Sequence, residues 1–90
     1  MVLLTVVAHQ VDTEAHHTIP PGWRWCVMLG GEPWEDESRM LNAGWCPNRN
    51  EALVEGEAVG VAVGKALHAL GHPVDYQVRE LDHDPIPMGV

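Results

Sequence analysis

The segment from Arg49 to Leu70 constrains the fold more than any other part of this chain. Its apolar residues recur with a helical period, and both of its ends carry a signal. Asn48, with Glu51 three residues on, has the form of a capping box, and Gly71 before His72-Pro73 is a stop. At 1.5 Å per residue such a helix is roughly 33 Å long. Ninety residues make one domain with no room for a second core. The rest of the chain must therefore supply the surface on which this single helix packs.

That surface reads as strands. Val2 to Val11 is rich in Val and Leu, with Val2, Leu4, Val6 and Ala8 on one face and Leu3, Thr5, Val7 and His9 on the other. Both faces are apolar at first, which places the strand centrally in a sheet or under cover on both sides. The stretch from Asp12 to Gly22 is a loop whose two prolines block regular pairing. Trp23 to Leu29 alternates cleanly, with Trp23, Trp25, Val27 and Leu29 opposed to Arg24, Cys26 and Met28. An acidic connection follows, and Arg39 to Cys46 returns as a shorter strand, making a hairpin with a long tip. After the helix, Val74 to Leu81 alternates again, with Val74, Tyr76 and Val78 inward, and the tail from Asp82 is expected to be loosely held. The expected fold is α+β, in the order β-β-β-α-β, with an antiparallel sheet and one long helix on one face.

Composition narrows the functions such a domain can have. Apolar residues are 46% of the chain, enough for a core. Thirteen acidic residues against five basic give a formal net charge of −8. That balance repels phosphate backbones and anionic membranes, so neither nucleic acid nor membrane is an expected partner. It suits a basic protein partner, or solubility alone. The N-terminal MVLLTVVAHQ is too short to span a membrane and lacks the basic start of a signal peptide. A cytoplasmic location follows as an expectation, with Cys26 and Cys46 as thiols.

No catalytic signature stands out, and no catalytic residue, cofactor or metal is expected. His68 and His72 have the i, i+4 spacing of a metal pair, but Gly71 between them should end the helix. His16-His17 lies in a loop without further ligands. Cys26 and Cys46 lie on paired strands, yet nothing in the sequence fixes a base beside either. Gly56, Gly60 and Gly64 fall inside the helix and not in a phosphate-binding loop.

Two features ask for a partner. The glycines Gly56, Gly60 and Gly64 line one helix face, at a cost of about 1 kcal/mol each relative to alanine. Close approach of another backbone is the usual compensation. Either the chain's own sheet or a second protomer could provide it, the latter with Val59, Val63 and Leu67 as further apolar surface in a homodimer. At the hairpin tip, Trp34 sits among Glu32, Glu35, Asp36 and Glu37, the composition of a protein-binding loop. The alternative is a tryptophan folded back over the hairpin as a lid.

A hairpin leading into a long helix opened by Glu51-Ala52-Leu53, then a strand and the proline-containing tail Asp84-Pro85-Ile86-Pro87, resembles the small HicB-like antitoxin domain over the last half of the chain. The resemblance implies the same fold and a regulatory role. The composition, with no Phe and one Lys, fits a GC-rich coding bias and looks like that of actinobacterial phage accessory proteins. Taken together, these readings give a non-enzymatic protein-interaction module as the first expectation. A HicB-like regulator is the second, and a small metal- or thiol-dependent enzyme the third.

Overall fold

The computed structural model describes residues 1–11, 20–34 and 36–81. Strands β1 (Val2–Gln10), β2 (Trp23–Leu29), β3 (Met40–Cys46) and β4 (Val74–Leu81) form one sheet, and helix α1 (Arg49–Ala69) packs on one face of it. A short 3-10 turn, Glu37–Arg39, leads into β3. The architecture is the expected α+β fold in the order β-β-β-α-β. Residues 12–19, Glu35 and residues 82–90 lie outside the described residues, and with them His16-His17, Asp84-Pro85-Ile86-Pro87 and the expectation of a loosely held end.

The strand order is β3-β2-β1-β4, and the sheet is mixed, not antiparallel throughout. β2 pairs antiparallel with both β1 and β3, whereas β4 runs parallel to β1. Chain direction explains the difference. The third strand of a meander runs the same way as the first, and a single helix returning from it delivers the next strand in that same direction. β1 is thereby central, and Leu4 to His9 are buried without interruption. Its apolarity on both faces follows from this position.

The helix ends are built from the residues that signalled them. The Asn48 side chain accepts the Glu51 N–H at 2.9 Å. At the other end Gly71 takes a left-handed φ of 91°. The Gly71 N–H donates to the His68 carbonyl at 2.9 Å and the His72 N–H to the Leu67 carbonyl at 3.0 Å. This paired arrangement is the Schellman motif, which satisfies carbonyls the helix would otherwise leave open. No helix of the described residues is long and apolar enough to cross a membrane.

Two apolar clusters sandwich the sheet. Under α1 lie Leu4, Val6, Trp25, Val27 and Cys46 with Ala52 of the helix, and Val59, Val63, Leu67 and Val74 pack against them. On the opposite face Val7, Cys26 and Met28 close around Trp34, with Met40 and Leu81 alongside.

Candidate functional site

All three helix glycines are buried against the chain's own sheet. A Cβ on Gly56 would come within 2.9 Å of a Val6 methyl and 3.0 Å of the Trp25 Cβ, and one on Gly60 within 2.9 Å of the other Val6 methyl. At Gly64 the Tyr76 ring and hydroxyl occupy the place of a side chain. The glycines therefore let α1 settle onto β1, β2 and β4, and Val59, Val63 and Leu67 are half-buried in the same interface. The helix face that carries these six residues packs on the chain's own sheet, which is the first of the two alternatives the sequence left open, and Gly64 also borders an open cavity beside β4. The larger apolar side chains that α1 exposes, Val54 and Val61, lie on its outward side with Ala58 between them, and Ala62, Ala66 and Ala69 are exposed too.

The hairpin tip is likewise turned inward at its centre. Trp34 is only 8% exposed, and its ring covers the second cluster as a lid. Hydrogen bonds hold the connection in place. Arg39 Nη2 donates to the Pro33 carbonyl at 2.8 Å, Thr5 Oγ1 donates to the Gly30 carbonyl at 2.8 Å, and Gln77 Nε2 donates to Thr5 Oγ1 at 2.8 Å. Asp36 accepts from both the hydroxyl and the backbone N–H of Ser38. These bonds, the hydroxyl first, hold its carboxyl below the ordinary aspartate range, with Arg39 adding a smaller pull in the same direction. Glu32 and Glu37 remain exposed beside it, and Glu35 lies outside the described residues. The tip thus offers carboxylates to solvent and keeps its tryptophan for the core.

The two cysteines point to opposite faces of the sheet. Cys46 belongs to the cluster under α1 and Cys26 to the cluster under Trp34. The Cys46 thiol donates to Glu55 Oε2 at 2.7 Å. Burial, reinforced by the hydrogen bond and the negative charge of Glu55, pushes this thiol up to about 11. A thiol so placed is almost wholly protonated at neutral pH. Titration of protein unfolded without reductant should find two free thiols per chain, and alkylation of the folded protein should be slow. An internal disulfide between Cys26 and Cys46 would contradict this placement. His68 sits in the last turn of α1 and His72 beyond the left-handed Gly71, both exposed. Among the described residues no three His, Cys, Asp or Glu side chains come together as a group able to hold a metal ion.

One surface was not singled out from the sequence. β3 is an outer strand, and its sequence MLNAGWC carries no charge and no proline. Leu41 and Trp45 are 44% and 40% exposed, and Asn42 and Ala43 are exposed between them. The register slips by one residue at Leu41, where Val27 pairs with Asn42 but Met28 with Met40. Apart from that irregularity and a hydrogen bond from the Trp45 indole to the Pro20 carbonyl at 3.1 Å, the described residues show none of the devices that protect sheet edges at β3, whereas β4 at the other side carries Asp75, Arg79 and Glu80. The signal was present in the sequence as an uncharged strand in a charged chain, but only the strand order makes β3 an edge. No described protein family matches the chain, and neither does any curated protein or solved structure.

Proposed function

We propose that this chain is a non-enzymatic protein-interaction module that takes an extended segment of a partner protein along the open edge of β3. The observation that carries the reading is the uncharged, exposed outer strand Met40–Cys46. An added strand gains main-chain hydrogen bonds from such an edge, and neighbouring side chains provide selectivity. Here Leu41, Ala43 and Trp45 would supply the apolar contacts. Glu37, exposed just before the strand, would favour a basic residue on the incoming segment, whereas Asp36 is already paired with Arg39. The chain's formal charge of −8 steers such a partner at longer range. Against a thiol-dependent enzyme built on Cys46 speaks its burial, reinforced by the hydrogen bond to Glu55, which keeps the thiol protonated. A cytoplasmic setting, in the host cell if a phage encodes the chain, belongs to the same proposal.

Ala43→Lys tests it. The position is exposed, so stability should change by no more than about 0.5 kcal/mol. Partner capture from a host lysate, quantified for the protein recovered by wild type, should fall at least tenfold, an effect of about 1.4 kcal/mol. A partner that binds both proteins equally would place recognition elsewhere.

A second reading, a HicB-like antitoxin or regulator, is favoured by the β-β-β-α-β order and by Glu51-Ala52-Leu53 in the first turn of α1, where Ala52 is buried. A basic toxin encoded beside the chain and recovered in stoichiometric complex would select it.

A further inference from the structure

A single helix does not cover a four-stranded sheet, and among the described residues nothing covers the β4 side of that face. Tyr76 and Val78 point to the helix side yet are 45% and 39% exposed. A cavity of about 320 Å³ opens between α1 and β4, lined by Gly64, Lys65, His68, Ala69, Val74 and Tyr76. Beside it runs the outward stripe of α1, where Val54 and Val61 are 69% and 44% exposed. Val54, Ala58, Val61 and Lys65 follow one another at helical spacing, on the side opposite the buried glycines.

We propose that this flank of α1 and β4 is where a second copy of the chain docks, with its own α1 laid antiparallel across the first. The charge pattern of the helix selects that occupant and that direction. Acidic residues occupy the first half of α1, at Glu51, Glu55 and Glu57, while Lys65 and His68 occupy the second. Arg49, the one basic residue in the first half, is bound to Glu80 of β4 at 2.9 Å. A two-fold axis over Val61 sets Glu57, four residues before it, opposite Lys65 of the second copy, four residues after it. The same axis sets Val54 opposite His68. Parallel helices would instead oppose like charges. Such an interface is isologous, so one charge pair is made twice. The small side chain of Ala58 allows the helices to approach. The contact line is a helix of 21 residues, about 31 Å long, with Tyr76 and Val78 at its side, and association is expected to depend on concentration.

Sedimentation equilibrium on the full chain over a dilution series tests this independently of any partner at β3. Wild type should pass from monomer to dimer with rising concentration. Val61→Glu should stay monomeric with an unchanged melting curve, and Ala58→Glu provides the same test at a second exposed position. Lys65→Glu should weaken association roughly tenfold, because two symmetry-related pairs turn from attraction to repulsion. Adding Glu57→Lys to Lys65→Glu should restore it. A monomeric wild type at the highest concentration, or a dimer indifferent to both Val61→Glu and Ala58→Glu, overturns the proposal. Failure of the double charge reversal to rescue overturns the antiparallel arrangement. Ala43→Lys should leave the dimer intact, so failure of either surface is read separately.

Discussion

Trp34→Ala is expected to cost about 3–5 kcal/mol, the usual range for truncating a buried tryptophan. For a domain of this size that is a large share of the total stability, which runs at about 0.05–0.15 kcal/mol per residue. The cause is the second apolar cluster. Val7, Cys26 and Met28 lie on the sheet face that α1 does not reach, and the Trp34 ring closes over them. Removing it opens a cavity whose floor is β1 and β2, and the Arg39 and Thr5 hydrogen bonds keep the connection from collapsing to fill it. Urea denaturation monitored by far-UV circular dichroism should show the midpoint falling sharply. An unchanged midpoint would mean that the ring contributes no packing, and would return Trp34 to the role of an exposed recognition residue.

Gly60→Leu is expected to abolish cooperative folding, and the graded series at the three helix glycines shows why. Alanine at an interior helix glycine gains about 1 kcal/mol of helix propensity. At Gly60 the new Cβ would press on Val6, which is 3% exposed and in the middle of the central strand. Overpacking of this kind costs about 1–3 kcal/mol, so Gly60→Ala should be neutral to moderately destabilising, and Gly56→Ala worse, since Trp25 also blocks it. Leucine adds three more carbons where neither strand nor helix can yield, and the helix must lift off the sheet. Gly64→Ala should be tolerated best. Its neighbour is the Tyr76 ring, which is 45% exposed and can swing into solvent. Thermal melts of the four variants should follow that order. A Gly60→Leu protein that melts cooperatively near the wild-type temperature would mean that α1 does not rest on β1 at this point.

The sequence by itself determined the elements, because each rests on local chemistry. Trp23–Leu29 and Val74–Leu81 are the strands that alternation predicts, residue for residue, and α1 starts at the predicted residue and ends one before it. Asn48 and Gly71 act within a single turn of chain, so their meaning does not depend on the rest of the molecule. Chain direction makes β4 run parallel to β1 once the meander and the single helix are granted, but that the two lie side by side, which makes the sheet mixed where the sequence suggested an antiparallel one, is decided by the tertiary structure.

Only the tertiary structure decided which surfaces remain open. A helical stripe of glycines asks for a close neighbour without naming it, and the answer, Val6, Trp25 and Tyr76, lies on three different strands. An indole among carboxylates fits a lid or a recognition tip equally well, until the uncovered face of β1 and β2 is there to receive it. Cys26 and Cys46 look adjacent on paired strands, but the register turns their side chains to opposite faces. The edge at β3 and the flank of α1 are defined by which described residues pack on them and which do not. A surface of that kind exists only when every element has been placed, because exposure belongs to the whole arrangement and to no single segment.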